Sequence, residues 1–229
     1  MKTIGLIGGM SWESTRVYYE LVNRGVQARL GGLHSARVIL SSLDFAPIAA
    51  LQRDARWHEA GELLAREAER LERAGADIVA LATNTMHKCA DQVIAALSVP
   101  FLHIADPLIA RLRAEGRKCP LLLGTRFTME DRFILDRLEA AGLQPSVPDA
   151  EDRAAVHGII YDELCKGIVS QAAQAAAKKW VSVAAAGGAD SVILGCTEIC
   201  LLIAPGSVEL PVYDTAAIHA EALVDYALR

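Results

Sequence analysis

An internal repeat is the feature of this sequence that most constrains its fold. Residues 75–83 read Gly-Ala-Asp-Ile-Val-Ala-Leu-Ala-Thr, and residues 188–196 read Gly-Ala-Asp-Ser-Val-Ile-Leu-Gly-Cys. The register is constant, because 188 minus 75 and 196 minus 83 both equal 113. Two further pairs of segments match in the same order along the chain: Val99–Phe101 with Leu210–Val212, and Ile7–Gly8 with Leu123–Gly124. Self-similarity of this kind indicates a duplicated structural unit.

The repeated Gly-Ala-Asp has an alternative explanation, because many helices end at a glycine without any duplication of the chain. A single Gly-Ala-Asp match has a simple explanation, since glycine suits the position after a helix. Recurrence of these three matched segments favours duplication instead. We therefore predict two lobes, one formed by residues 1–105 plus 209–229 and the other by residues 106–208. The helical pattern from Ala216 to Arg229 is expected to pack on the first lobe.

Alternating strand and helix patterns predict an α/β fold. The clearest helical pattern is Arg56–Arg73, which has an apolar face and a charged face. With 52% hydrophobic and only 5% aromatic residues, the interior should be aliphatic, as in parallel sheets covered on both faces. We expect two pseudo-symmetric lobes, each a mostly parallel sheet flanked by helices, with the active site in the cleft between them. The aliphatic runs that predict strands are Thr3–Ile7, Arg37–Leu43, Asp77–Ala82, Pro100–Ile104, Leu121–Leu123, Ser191–Leu194 and Leu210–Tyr213.

Composition excludes several classes of function. No apolar stretch approaches the ~20 residues that span a bilayer, and no signal-peptide pattern is present, so a soluble cytoplasmic protein is expected. A net charge of −5 without a Lys/Arg cluster argues against nucleic-acid and membrane partners and favours a small molecule. Five cysteines without a CxxC pair argue against disulfides and structural zinc. The six histidines show no metal-binding spacing, so each is read as a surface or core residue, and no metal is expected.

Ligands of parallel α/β sheets bind beyond the carboxyl ends of the strands. A dinucleotide is disfavoured, because the GxGxxG spacing is absent and Asp44 lies well past the ~20-residue offset of a ribose-binding acid. The small and polar segments found at the predicted strand ends suit carboxylate and ammonium groups instead: Gly8–Ser11, Asp44, Thr83–Thr85, Gly124–Arg126 and Cys196–Glu198.

Cys196 and Thr83 occupy matching positions of the repeat. Cys196 follows a predicted strand and precedes a predicted helix, where the helix N-terminus would favour its thiolate and make it a base or nucleophile. Thr83 is read either as a functional group or as a simple helix N-cap. Cys200, four residues after Cys196, is read as a small buried hydrophobe.

The sequence resembles the cofactor-independent aspartate/glutamate racemase family, in the superfamily that also contains maleate isomerase and arylmalonate decarboxylase. The match spans nearly the whole chain and is closest to the amino-acid racemase branch. It rests on four motifs: Ile4–Thr15, Asn84–His87, Gly195–Ile199 and Asp214–Ala220.

The resemblance implies a two-base mechanism without pyridoxal phosphate or any other cofactor, and a homodimer. One thiolate removes the α-proton, and a thiol on the opposite face delivers another, an arrangement that two pseudo-symmetric lobes can supply. Hydrogen bonds to the substrate carboxylate must then stabilise the carbanion. The expected donors are Ser11, Asn84, Thr85, Thr197 and helix N-termini. The remaining expected substrate contacts are Met10, Asp44, Gln52, Lys166 and Glu198.

Position 83 departs from the two-cysteine pattern of the family. A threonine hydroxyl is a poor base, because its pKa lies far above that of a thiol. We therefore expect an asymmetric enzyme, in which Cys196 abstracts the proton from the L-enantiomer and Thr83 or water reprotonates the other face. Two alternatives stay open, namely isomerisation or decarboxylation of a small dicarboxylic acid by Cys196 alone, and a non-catalytic amino-acid-binding module.

Overall fold

The computed structural model describes all residues from Met1 to Arg229. Contacts divide the chain into two compact units, Met1–Ile104 with Ala216–Arg229, and Ala105–Thr215. No helix combines the length and the apolar character that a bilayer span requires.

The first unit contains a parallel sheet with strand order β2-β1-β3. Its strands are β1 (Ile4–Gly8), β2 (Val38–Ser42) and β3 (Ile78–Leu81). Its helices are α1 (Trp12–Leu30), α2 (Phe45–Arg53), α3 (Trp57–Arg73), α4 (Ala90–Ala95) and, at the C-terminus, α10 (Thr215–Ala227), with a 3₁₀ turn at Thr85–Cys89.

Helices cover both faces of this sheet. Helix α3 starts within one residue of its predicted beginning and buries Leu64, Ala68 and Leu71 on its apolar face. The C-terminal helix α10 packs Leu223 and Val224 against the core that contains β1 and helix α1, in agreement with the expected return of the tail to the first lobe. Both faces of β1 and β3 are buried, which explains why these strands are continuous apolar runs.

The second unit contains a parallel sheet with strand order β4-β5-β6. Its strands are β4 (Pro120–Gly124), β5 (Ser191–Gly195) and β6 (Val212–Asp214). Its helices are α5 (Ala105–Ala114), α6 (Arg126–Glu130), α7 (Leu135–Ala140), α8 (Ala150–Asp162) and α9 (Gln171–Ala186), with 3₁₀ turns at Leu164–Lys166 and Glu198–Leu201. The fold is therefore α/β, with two parallel three-stranded sheets flanked by helices.

Two details differ from the sequence-based expectation. We expected residues 209–215 in the first unit. Strand β6 instead pairs with β5, so these residues belong to the second unit. The predicted strand at Pro100–Ile104 is reduced to a bridge between Phe101 and Val79. Helix α5 begins directly afterwards at Ala105, so the chain leaves the sheet before a ladder can extend.

The two units repeat the same hydrogen bonds, beginning with the aspartate that directly precedes β3 in one unit and β5 in the other. Asp77 accepts from the amide of Thr3 at 2.6 Å, and Asp190 accepts from the amides of Lys118 and Cys119 at 2.6 and 3.1 Å. We call Asp77 and Asp190 the aspartate braces. Each ties the start of one strand to the start of its neighbour.

The turns after β1 and β4 are also closed in the same way. Ser11 caps α1 by accepting from the amide of Ser14 at 3.2 Å, and Thr125 caps α6 by accepting from the amide of Thr128 at 3.3 Å. The paired hydroxyl oxygens are 3.2 Å apart in both cases. The glycine before each brace also has almost the same φ, +96° at Gly75 and +98° at Gly188. Agreement at this level of detail supports the duplication inferred from the sequence.

Replacing Gly188 with Ala should destabilise the protein, although the added methyl group would enter open space. The cost comes from the positive φ and should be about 1–2 kcal/mol. Gly158 is the matched control, because it lies inside helix α8 and its added methyl would make only an ordinary contact. Gly158→Ala should stabilise by roughly 0.5–1 kcal/mol. Urea-unfolding midpoints would measure both, and equal shifts would contradict the backbone explanation.

Candidate active site

Three strand ends meet at one edge of the first sheet. Gly8 pairs with Ser42 and Ile7 with Leu81, so β1, β2 and β3 end at nearly the same level. The segments that follow carry the predicted site residues of this unit, which are Met10, Ser11, Asp44, Thr83, Asn84 and Thr85. Parallel pairing therefore brings together residues that are up to 75 positions apart in the sequence.

Thr83 lies between the end of β3 and the 3₁₀ turn that starts at Thr85. Its side chain is half-buried, whereas Asn84 and Thr85 are buried. The residue at the N-cap position of the turn is Asn84, which makes no side-chain capping hydrogen bond. The interpretation of Thr83 as an N-cap is therefore wrong.

The Asn84 amide has a buried oxygen, Oδ1, that accepts no hydrogen bond from the protein. Leaving a buried acceptor unsatisfied costs about 1–3 kcal/mol. Such a group is uncommon in a folded protein and marks a position where a donor from a ligand would be favourable. Asn84 thus differs from a packed core amide.

The other predicted contacts of the first unit take part in local structure. Gln52 is buried, and its Nε2 atom lies 2.8 Å from the Met86 sulfur atom, beside the Thr83–Thr85 segment. Asp44 is exposed and caps α2 by accepting from the amide of Ala46 at 3.2 Å. Met10 belongs to a buried apolar cluster of this unit.

Three buried histidines, His87, His103 and His219, form a cluster that contacts the backbone of Thr83 through His87. The ring of His87 is 4.6 Å from that of His103 and 5.8 Å from that of His219, measured between centroids. All three agree with the interpretation as core residues. Burial lowers the pKa of His87 well below its usual value and lowers the pKa of His219 to about 4, so both rings are neutral at pH 7. Sequence reasoning missed the cluster because its members are far apart in the chain, although His87 and His219 both lie in motifs that carry the family resemblance.

The second sheet presents Cys196 at the carboxyl end of its central strand. The segment Cys196–Glu198 follows β5, while Thr125 follows β4. Thr215 follows β6, and its hydroxyl donates to the carbonyl of Leu194 at 2.8 Å. Cys196 is buried within the apolar cluster of this unit.

Cys196 is hydrogen-bonded to the carboxylate of Glu198. The thiol donates to Oε2 of Glu198 with 2.9 Å between sulfur and oxygen, and the hydroxyl of Thr197 donates to the same oxygen at 2.7 Å. Burial raises the pKa of the Cys196 thiol well above its usual value, and the charge and hydrogen bond of Glu198 raise it further.

The prediction of a favoured thiolate at Cys196 is therefore wrong for this state of the protein. The helix expected after Cys196 is only the 3₁₀ turn Glu198–Leu201, which at four residues sums far fewer peptide dipoles than an α-helix of ordinary length. A carboxylate two residues away has the opposite effect on the thiol. The arrangement is a protonated thiol paired with an acceptor for its proton.

Helix α8 contributes a residue that the sequence analysis did not select. Although Tyr161 is 37% exposed, desolvation of its hydroxyl raises its pKa to about 12, with smaller contributions from nearby Cys196, Cys165 and Glu198. The ring of His157 lies 4.7 Å from that of Tyr161. The only sequence signal was the spacing of His157 and Tyr161 by four residues, which places both on one helix face.

Lys166 and Cys200 are the remaining selected residues of this unit. Lys166 is exposed, with its Nζ atom 3.8 Å from a carboxylate oxygen of Asp162. Cys200 is half-buried and packs against the cluster that contains Cys196, in agreement with its interpretation as a small hydrophobe. No group of three or more His, Cys, Asp or Glu side chains is arranged to hold a metal ion.

Comparison with known proteins identifies relatives along almost the whole chain. The model of the Asp/Glu/Hydantoin racemase family matches residues 7–223. A candidate Asp/Glu racemase of known structure from Yersinia pestis is 48% identical over 100% of both chains, with a TM-score of 0.95. An aspartate racemase homologue from Pyrococcus horikoshii OT3 is 33% identical over 100% of both chains, with a TM-score of 0.87. The broad specificity amino-acid racemase RacX of Bacillus subtilis (strain 168) is 27% identical over 160 residues, which are 69% of this chain and 67% of that protein.

Replacing Glu198 with Gln should lower the pKa of the Cys196 thiol, because the substitution removes the neighbouring negative charge and the carboxylate acceptor. Alkylation of Cys196 by iodoacetamide, followed across pH by peptide mass mapping, should therefore begin at lower pH. Glu209→Gln is the matched control, since Glu209 is exposed and should not affect this profile. An unchanged profile in Glu198→Gln would show that burial alone sets the reactivity of the thiol.

Proposed function

The chain belongs to the Asp/Glu/Hydantoin racemase family, and on that premise we propose that it racemises aspartate or glutamate without a cofactor. It is an isomerase by family. The observation that carries the proposal is the Cys196–Glu198 pair after the central strand of one sheet. Thr83 supports it, because it holds the equivalent position after β3, shifted by the constant 113 residues of the repeat.

Proton abstraction begins at the Cys196–Glu198 pair. The thiol passes its proton along the 2.9 Å hydrogen bond to the Glu198 carboxylate. The thiolate then takes the α-proton of the substrate, and the electron pair of the C–H bond stays on the α-carbon, delocalised into the substrate carboxylate. Glu198 thus serves as the acceptor that a thiol with a raised pKa requires.

Reprotonation is assigned to Thr83 on the other face of the α-carbon. Its hydroxyl gives a proton to the carbanion, and the alkoxide left behind takes a proton from water. The carboxylic acid at Glu198 releases its proton to water, which restores the starting enzyme. One proton enters and one leaves in each turnover, and the product has the opposite configuration.

Stabilisation of the carbanion is assigned to hydrogen-bond donors near the two proton-transfer groups. Ser11, Asn84, Thr85 and Thr197 carry donors suited to a substrate carboxylate. Asn84 has a second role in this proposal, because its unsatisfied Oδ1 atom suits an N–H of the substrate ammonium group. Gln52, Lys166, Met10 and Asp44 remain proposed contacts to the rest of the substrate.

The two proton-transfer groups make the enzyme asymmetric in this proposal. A threonine hydroxyl donates to a strong base but accepts a substrate proton poorly, since its pKa far exceeds that of a thiol. Cys196 therefore acts on the enantiomer whose α-proton faces it, which we assign as L. A single thiol is also compatible with decarboxylation of a small dicarboxylic acid, and product analysis separates the two reactions.

We also propose a cytoplasmic homodimer that binds neither nucleic acid nor membranes. The five cysteines are free thiols in the structure, as proteins of a reducing compartment require. The dimer rests on the family resemblance alone.

Incubation with L-aspartate or L-glutamate in heavy water should introduce deuterium at the α-carbon and form the D-enantiomer. Cys196→Ala should lower both rates about 10²–10⁴-fold, the usual contribution of an acid–base group. Cys119→Ala is the control, since Cys119 is a half-buried thiol at the other end of the sheet and should leave both rates unchanged. Carbon dioxide without racemisation would favour decarboxylation, and no exchange with any amino acid would overturn the proposal.

Replacing Thr83 with Cys should make the D-enantiomer a substrate, because a thiol accepts a proton far more readily than a hydroxyl does. The rate of D-to-L conversion should rise relative to the L-to-D rate, as measured by chiral chromatography. Thr83→Ser is the control, because it keeps a hydroxyl and should keep the L preference. If Thr83→Cys retains the wild-type preference, position 83 does not determine it.

A further inference from the structure

We propose that His87 is a positioning residue for Thr83, holding the backbone of that residue so that its hydroxyl faces the substrate. The inference rests on the proposed function and extends it to a side chain that touches no reacting atom. It follows from the hydrogen bonds that the two ring nitrogens of His87 make with backbone groups.

The His87 ring connects two backbone groups. Its Nδ1 atom lies 2.8 Å from the carbonyl oxygen of Thr83, and its Nε2 atom lies 3.1 Å from the amide nitrogen of Ile104. A carbonyl can only accept and an amide N–H can only donate, so the ring is neutral with its hydrogen on Nδ1. Both ring nitrogens are thereby satisfied within the protein core.

The segment from Thr83 to His87 is closed by two hydrogen bonds. The amide of His87 donates to the carbonyl of Asn84 at 3.1 Å, which forms the 3₁₀ turn. The ring of the same residue donates to the preceding carbonyl, that of Thr83. The peptide plane between Thr83 and Asn84 is therefore held through its carbonyl oxygen. Its orientation affects both Thr83 and the amide group of Asn84.

The other end of the link is also well anchored. Ile104 is the last residue of the first unit before the chain enters α5, and it is fully buried. Two residues earlier, the carbonyl of Leu102 accepts from Nε2 of His219 at 3.0 Å, so Nδ1 of His219 accepts from the hydroxyl of Tyr18 at 2.9 Å. The ring of His87 therefore ties Thr83 to a segment that is itself held by the core.

The surroundings keep the link in one protonation state. The ring of His87 is 2% exposed and is packed against Phe101, His103 and His219. Burial is the largest cause that lowers the pKa of His87, and the neighbouring histidines lower it further, so Nε2 remains an acceptor for Ile104. Hydrogen bonds in such a dry environment are stronger than at the surface.

Positioning matters for Thr83 in particular because a hydroxyl is a weak acid. Proton delivery by such a group depends on close approach to the carbanion, and a displacement of about 1 Å can cost about 100-fold in rate. Cys196 lies in the other unit and shares no hydrogen bond with His87. Loss of the His87 link should therefore impair reprotonation by Thr83 while abstraction by Cys196 continues.

The test compares racemisation with α-deuterium exchange from the L-enantiomer in heavy water. His87→Phe keeps a ring of similar size but loses both hydrogen bonds, and it should lower the ratio of racemisation to exchange by about tenfold or more. His87→Asn places an amide N–H near the position of Nδ1 and should keep the ratio within about threefold of wild type. A purely structural residue would lower both rates together.

Tyr213→Phe is the matched control. Tyr213 is also buried, and its hydroxyl donates to Glu115 and accepts from Arg117, but it makes no hydrogen bond with Thr83 or with the segment that His87 holds. This variant should lose stability, as measured by thermal unfolding, and keep the wild-type ratio.

Different results overturn different parts of the argument. A racemising wild type whose ratio is unchanged in His87→Phe would overturn the role of His87 alone. An equal fall of the ratio in Tyr213→Phe, or no rescue by His87→Asn, would do the same. A wild type that neither exchanges nor racemises any amino acid would overturn the proposed function, and the role of His87 with it.

Discussion

Parallel pairing of β1 with β3 and of β4 with β5 is the constraint on which the candidate site depends. Two neighbouring parallel strands must be joined by a long crossover, which here supplies helices such as α3 and α9. The same pairing brings every strand of a sheet to its carboxyl end at one edge. Polar segments that are remote in sequence then become neighbours because of strand pairing, and no contact between the segments themselves is needed to bring them together. The places of Thr83 after β3 and of Cys196 after β5 are a consequence of this geometry.

The acid–base state of the site follows from burial. A thiol in an apolar cluster resists ionisation, and the carboxylate of Glu198 strengthens that resistance while also offering a place for the proton. The resting arrangement therefore keeps Cys196 protonated. Beside Thr83, the neutral ring of His87 contacts backbone groups only, through the carbonyl of Thr83 and the amide of Ile104. Burial thus keeps both the thiol of Cys196 and the ring of His87 uncharged.

The sequence predicts the strands and helices of the fold better than it predicts the pKa values of the site. The repeat around residues 75–83 and 188–196 is reproduced by β3 and β5, and helix α3 lies where its periodicity puts it. These features depend on local patterns that a sequence displays directly. The direction of the Cys196 pKa shift was not predictable in this way, because it depends on a helix that fails to form and on the rotamer of Glu198. The histidine cluster joins positions 87, 103 and 219, and no local spacing reveals it. Strand β6 was placed in the wrong unit because a three-residue strand gives no signal about its partner.

The aspartate braces have a consequence for how the two halves tolerate change. Asp77 and Asp190 close their sheets at the amino ends of the strands, by hydrogen bonds that involve only backbone amides of the same unit. Thr83 and Cys196, at the opposite ends of β3 and β5, take no part in that closure. A hydroxyl after β3 and a thiol after β5 can therefore be carried by sheets that are otherwise alike. A substitution at position 83 or 196 removes none of the brace hydrogen bonds.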